Sequence, residues 1–288
     1  MKKGAPQVRN IMTIDVEDYF QVSAFSPYIA RAEWAECECR VERNVSIILQ
    51  LLADRQIKAT FFTLGWIAKR YPQLIQKIVY EGHELASHGF GHGRVSDQTP
   101  AFFSDDVSHA KHLLEDISGQ AVIGYRAPSF SIGAGNLWAF EVLQNAGYRY
   151  SSSIYPIRHD HYGMVDAPRA AFETRNGFIE FPLSTCRVFK KNMPSSGGGY
   201  FRLLPYTVSR WMINAVNAEN QLPAIFYFHP WEIDVHQPRI KGLDLKTKFR
   251  HYINISRMEH RLKKLFSDFS WGRMDQFYFD KLRSDGKV

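Results

Sequence analysis

Seven short runs rich in branched and aromatic residues recur along the chain: Asn10–Val16, Lys58–Leu64, His83–His88, Val122–Arg126, Arg149–Ile154, Phe178–Leu183 and Ala224–His229. Segments of helical period separate them, and this alternation constrains the fold most, because strand and helix units taken in turn bury parallel strands beneath helices. Between the first two runs, Val45, Ile48, Leu49 and Leu52 stand at i, i+3, i+4 and i+7 and form one apolar helix face. Pro72 opens a second helix that carries Leu74, Ile75, Ile78 and Val79 and stops at Gly82. A third spans about Gly135–Ala146, with Gly147 in the left-handed cap position. Seven such units predict an α/β fold, a distorted (β/α)7 TIM-like barrel. The segment Ser195–Tyr200, with Gly197, Gly198 and Gly199 in a row, reads as a flexible loop before a helix near Pro205–Asn220. Beyond His229 the pattern loosens, and Leu243–Phe266 reads as a charged helical tail. The predicted division is a barrel over residues 1–235 and a C-terminal helical extension over 236–288 packed on it.

A hydrophobic content of 45% over 288 residues is enough for one large core. The formal net charge of +7 raises nucleic acid as a partner, but Lys and Arg read as spread along the chain, which argues against it. No run reaches the roughly 18 apolar residues of a membrane helix, so stable membrane insertion is not expected. The start, MKKGAPQVRN, is positive but leads into no apolar stretch, and the three cysteines, Cys37, Cys39 and Cys186, show no paired CxxC spacing. A cytoplasmic location is the expectation. Cys37 and Cys39 are expected to be free thiols rather than metal ligands.

Asp15, His88, Arg126 and His229 each fall at the C-terminal end of a predicted strand, the end at which barrel folds build their sites. Four reactive side chains are thereby expected in one pocket. His88 and His92 stand at i, i+4 among glycines, so a tight turn would aim two imidazoles at one cation. The segment Thr13–Asp18 places Asp15, Glu17 and Asp18 directly after an apolar strand, and such a cluster repels itself unless a cation or an arginine neutralises it. Two histidines and one carboxylate with open positions make a hydrolytic metal centre. Strand alternation puts Glu17 on the side of Asp15, whereas a turn after Val16 would present Asp18 instead.

These motifs, in this order over roughly residues 10–230, resemble the NodB-homology polysaccharide deacetylases of carbohydrate esterase family 4: the acidic Thr13–Asp18, the histidines His88 and His92, the arginine motif Arg126-Ala127-Pro128-Ser129-Phe130, and Phe228-His229. The stretches Asp15–Phe20 and His229–Asp234 further resemble a subgroup found near bacterial exopolysaccharide and exosortase loci. The resemblance implies hydrolysis of the acetamido groups of N-acetylhexosamine residues in an exopolysaccharide or its precursor. It makes Asp15 the general base toward water, Arg126 its partner, and His229 the general acid for the departing amine. It implies a divalent cation, zinc first, with cobalt, nickel or manganese as alternatives, held by His88, His92 and Glu17 or Asp18. A backbone N–H near Pro128–Phe130 or at Tyr155 would face the oxyanion. Pro128, Phe130, Tyr155 and Trp231 are the candidates for sugar contact, Trp231 first, with Tyr19 and Phe20 near the same mouth.

The acidic motif departs from the family's adjacent aspartates followed by glycine, since the acids here are Asp15, Glu17 and Asp18, and two further positions depart as well. Ser151 stands where relatives commonly carry an aspartate, and Gly89 follows His88 in place of Ser or Thr. Both touch the support of the ligands and so bear on rate or metal affinity. The alternatives to a polysaccharide deacetylase are a small-molecule amide hydrolase of the allantoinase-like type and a catalytically silent carbohydrate-binding protein. Sequence leaves the sugar and the oligomeric state open.

Overall fold

A computed structural model of the chain describes residues 8–159, 163–219 and 221–286. All seven expected runs form strands, most of them shorter than predicted: β1 (Arg9–Val16), β2 (Thr60–Thr63), β3 (Glu84–Ser87), β4 (Gly124–Tyr125), β5 (Tyr150–Ser151), then, after β6 (Phe172–Glu173), β7 (Ile179–Glu180), and, after a hairpin of β8 (Thr185–Val188) and β9 (Lys191–Pro194), β10 (Ile225–Phe228). They pair in the order β10, β1, β2, β3, β4, β5, β7, all parallel, with β6 antiparallel at the far edge. The sheet curls into a half-barrel, and across the gap the Ile225 N–H donates to Ser184 Oγ at 2.7 Å. Every residue of β1 after Arg9 is buried, the polar Asn10, Thr13 and Asp15 included, as in a parallel strand covered on both faces.

The covering helices are α1 (Val41–Ala53), α2 (Gly65–Arg70), α3 (Pro72–Tyr80), α4 (Pro100–Ser118), α5 (Ala139–Asn145), α6 (Gly198–Leu203) and α7 (Tyr206–Ala218). The expected (β/α)7 alternation is incomplete in one place: among the described residues no helix joins β5 to β7, and the short β6 stands there instead. The expected third helix begins only at Ala139, because Gly133 and Asn136 form a turn closed by the Asn136 side chain on the Gly133 N–H, 2.7 Å. Gly147 then takes its cap conformation, φ +87°.

The tail read as one charged helix is two, α8 (Leu245–Tyr252) and α9 (Ile255–Asp268), broken at Asn254, which adopts φ +50°. After them a strand unforeseen in sequence, β11 (Ser270–Gly272), pairs parallel with the N-terminal half of β1, and α10 (Met274–Ser284) follows. The start of α10 is tied to the barrel floor: the Met274 N–H donates to Thr60 Oγ1 (2.8 Å) and the Asp275 N–H to Glu84 (3.0 Å), the first residues of β2 and β3. The described residues beyond 244 thus form three helices and also add a strand to the sheet.

Candidate metal centre and active site

The sheet register sets the site. Val16, Thr63, Ser87, Tyr125, Ser151 and Glu180 lie abreast across six strands. The next residues, Glu17, His88, Arg126 and Ser152, therefore leave the sheet together at its C-terminal rim, and Asp15 points to the same side as Glu17. His92 joins them through the turn after β3, in which Gly89 (φ +75°) and His92 (φ +56°) both adopt the left-handed conformation. A Cβ on Gly89 would meet the Asp106 carboxylate at 2.8 Å, so both space and backbone select glycine there. The strained φ at His92 is stored where the chain needs an imidazole aimed inward.

Glu17, His88 and His92 offer ligand atoms all within 4.8 Å of one another. His88 Nδ1 lies 2.7 Å from the Arg126 carbonyl, which only accepts, so this nitrogen carries the proton and Nε2 is left with a free lone pair. Burial lowers the His88 pKa to about 4, which keeps the ring neutral. His92 Nε2 sits 2.7 Å from Glu17 Oε2, yet that buried oxygen receives no hydrogen bond of acceptable geometry. Two imidazoles and an orphaned carboxylate oxygen converging on one point fit a divalent cation with borderline-soft preference. For Glu17, burial acts to raise the pKa, but His92 and His229 outweigh it and hold the group near 2.

Asp18, the alternative carboxylate, lies outside this cluster. Its oxygens accept from the backbone N–H groups of Tyr19 (2.8 Å), Arg40 (2.6 Å) and Val41 (2.8 Å), so it caps the start of α1 across the chain.

Arg126 is fully buried and donates through Nη1 to Asp15 Oδ1 and to Thr13 Oγ1, both at 2.7 Å, and through Nε and Nη2 to Ser152 O and Oγ, both at 3.0 Å. Phe62 lies under the guanidinium, 4.1 Å from ring centre to Cζ. With Oδ1 of Asp15 engaged, Oδ2 faces His229 Nε2 at 3.9 Å. His229 Nδ1 meets Glu232 Oε1 at 2.8 Å, and Glu232 is in turn held by Arg202 Nε at 2.7 Å. Burial opposes protonation of His229, but Glu17, Glu232 and Asp15 push its pKa up to about 9. Glu232 and Arg202 were not singled out in the sequence. Glu232 was findable as a carboxylate three residues beyond His229, but Arg202, thirty positions upstream, carried no signal.

The aromatic candidates sit differently from the expectation of open sugar platforms. Tyr155 is 0% exposed, its hydroxyl bonded to Ser196 O. Trp231 is 5% exposed, stacked with the His229 ring (5.3 Å) and the His251 ring (4.2 Å), and its indole N–H reaches Glu17 Oε1 at 3.2 Å. Trp231 thus orients a carboxylate and an imidazole instead of presenting a free face. Phe130 packs edge-on against Tyr155 and Tyr227, and its N–H is taken by Ala127 O at 3.0 Å, so that donor does not face an oxyanion. Tyr19 and Phe20 are likewise buried, in a cluster with Trp34 and Trp231. Pro128 opens a turn in which Ser129 and Phe130 both have positive φ (54° and 49°), which bends the chain sharply after Arg126.

The glycine run is not a loose loop either. Gly197 (φ +97°) packs on the Tyr227 ring, and a Cβ on Gly198 would lie 2.2 Å from the Glu232 carboxylate, so these glycines let α6 seat against the His229 support. Ser151 bonds Ser153 (Oγ to Oγ, 2.7 Å), and its cross-strand partner Glu180 accepts from the N–H groups of Ser153 and Ile154. A carboxyl group is therefore present one strand over from the position that departs from the pattern. Cys37, Cys39 and Cys186 are free thiols.

Residues 38–151 match the polysaccharide deacetylase family model, and residues 152–279 match a domain of unknown function, DUF3473. The likeness to the polysaccharide deacetylases is thus carried by residues 38–151, less than half of the chain. Over 96 residues it is 31% identical to a chitooligosaccharide deacetylase of Bradyrhizobium sp., covering 33% of this chain and 42% of that one. Over 95 residues it is 30% identical to a peptidoglycan-N-acetylglucosamine deacetylase of Bacillus cereus, covering 33% and 34%. The match thus spans less than half the length of these relatives. The fold extends further: a Mycobacterium smegmatis protein assigned as a polysaccharide deacetylase superposes over 99% of this chain and 94% of its own at a TM-score of 0.62 and 17% identity. Asp15, Glu17 and His229 lie outside the matched 38–151, so it is the coordinates that join them to His88, His92 and Arg126.

Proposed function

We propose that the chain is a metal-dependent de-N-acetylase that hydrolyses acetamido groups on N-acetylhexosamine residues of a bacterial exopolysaccharide or its precursor. The observation that carries this reading is the convergence of Asp15, oriented by Arg126, with the Glu17–His88–His92 donors and with His229, whose Nε2 lies 3.6 Å from Glu17 Oε1 and 3.9 Å from Asp15 Oδ2. Glu17, His88 and His92 would hold the cation, zinc by donor type, which supplies Lewis-acid polarisation and acidified water when bound. Asp15 takes the proton from the attacking water through its Oδ2, the oxygen that Arg126 leaves clear. As the carbon–oxygen bond forms and the carbon–nitrogen bond breaks, His229 gives a proton from Nε2 to the departing amine, leaving acetate and a free amino sugar. Glu232 orients that imidazole through Nδ1 and spreads its charge to Arg202. The names of the relatives, which act on chitooligosaccharides and peptidoglycan, support an acetylated carbohydrate as substrate.

Acetate release from chitin oligomers and from acetylated exopolysaccharide, and hydrolytic ring opening of allantoin, each measured with and without chelator, test this reading. Chelator-sensitive acetate release from an acetylated sugar is expected. Turnover of allantoin alone would move the chain to small-molecule amide hydrolysis, and bound sugar without any turnover would make it a silent binding protein.

A further inference from the structure

The positive charge of this chain is concentrated, contrary to the dispersal read from the sequence. Between Arg239 and Lys264 lie nine lysines and arginines against two acids, Asp244 and Glu259, an excess of seven that equals the +7 of the whole chain. Both acids are engaged within the segment: Asp244 caps α8 through the Thr247 N–H (3.0 Å), and Glu259 pairs with Lys263 (2.6 Å). The rest of the molecule is formally neutral.

In the middle of this field α8 carries an inverted pattern. Its inward side holds His251, buried and stacked on Trp231 of the active site. Its outward side holds Leu245, 84% exposed, and Phe249, 56% exposed, one turn apart on the same face. Lys241, Lys246, Lys248 and Arg250, all exposed, lie beside this pair in the chain. A soluble polyanion would satisfy the cations and leave the two apolar side chains in water. An anionic bilayer takes both at once, the cations at the headgroups and the apolar pair at the acyl boundary. No helix among the described residues is long and apolar enough to cross a membrane, so the contact is with the surface.

We propose that α8 and the basic side chains around it dock this protein on a bilayer that contains anionic lipid. Docking by this face would bring the rim that holds Trp231 and His229 toward that surface. The proposal is independent of the reaction assigned above and is tested without measuring it.

The purified full chain is sedimented with phosphatidylcholine vesicles and with vesicles in which roughly one-third of the lipid is phosphatidylglycerol. Binding to the anionic vesicles is expected to exceed binding to the neutral ones at least about tenfold, and to fall about fivefold for each cation neutralised among Lys246, Lys248 and Arg250. L245S/F249S, whose sites are exposed, is expected to keep the circular dichroism of the parent and to lose at least about tenfold in binding. Equal binding to both vesicles overturns the proposal. So does anionic binding that is indifferent to L245S/F249S, and so does tighter retention on duplex DNA than on vesicles, which would assign the patch to nucleic acid.

Discussion

Replacing Arg126 by methionine removes the partner of a carboxylate that is only 2% exposed, while keeping a side chain of similar length above Phe62. Breaking a buried ion pair from one side costs about 3–5 kcal/mol, because the remaining charge stays desolvated. The same change deprives Ser152 O, Ser152 Oγ and Thr13 Oγ1 of their donor, which places the loss at the upper end of that range. With about 0.6 kcal/mol per degree for the unfolding entropy of a chain this long, the melting temperature should fall by about 5–8 °C. In the double variant D15N/R126M the orphaned charge is gone, so the two losses should fall short of additive by about 2–3 kcal/mol. Urea unfolding and differential scanning calorimetry measure both quantities. A loss under about 1 kcal/mol in R126M, or strict additivity in the double variant, would refute the view that Arg126 acts by compensating Asp15.

The assigned roles differ in what they should do to metal content. D15N should keep the metal measured by mass spectrometry while acetate release collapses, whereas H88A should lower metal affinity at least about tenfold as well; equal metal loss in both contradicts the assignment. E232Q should lower kcat about tenfold or more with KM little changed, since Glu232 orients His229 and touches no substrate; a pure KM effect would count against that. G198A, with a Cβ 2.2 Å from the same carboxylate, should copy E232Q in kcat, and unaltered turnover would show that α6 can retreat freely. Burial raises the pKa of Glu84 and of Glu180 from 4.5 to about 7. A raised carboxyl pKa means that the folded chain holds a proton the unfolded chain releases. Stability should therefore be highest below about pH 4.5 as far as these groups decide it, and fall as pH rises toward 7 and beyond, by up to about 3 kcal/mol per group. E84Q should flatten that dependence in pH-resolved urea titrations, and a slope identical to the parent would remove Glu84 as its source.

What the sequence made legible was whatever depends on short-range pattern. The β1 run, the Pro72 helix and the rim position of Asp15, His88, Arg126 and His229 all follow from period and from residues at strand ends. That Glu17 faces the two histidines was visible only as alternation along a strand, and what draws Asp18 away is the Arg40 and Val41 N–H groups, which come from a helix start 22 residues away. Helix α4 went unread although Phe103, Val107, Ala110 and Leu114 form its buried stripe, because the stripe is one residue wide in a polar segment. Strand β11 could not be read at all: three residues, Ser-Trp-Gly, have no period, and they become a strand only because β1 offers a free half-edge. The aromatic candidates were misread for a related reason, since composition marks Trp231 and Tyr155 as ring surfaces but not which neighbours already cover them.

The two matched segments, 38–151 and 152–279, do not correspond to two working parts. The centre takes Asp15 and Glu17 from before the first, His88, His92 and Arg126 from within it, and His229, Glu232 and Arg202 from the second. At the other end of the barrel the second segment supplies β11 to the edge of β1, and the N-terminus of α10 to Thr60 and Glu84. Each segment thus leaves unpaired strand edges and buried polar groups in the other if it is removed, and such groups cost more than a short segment recovers by packing alone. The second segment supplies the His229 end of the proposed site from above and supports the sheet from below. A fragment ending at residue 151 should therefore fail to fold to the native spectrum, not merely fold without activity. A cooperative unfolding transition in that fragment, at the parent's midpoint, would show that the second segment serves the site alone and leaves the sheet to stand by itself.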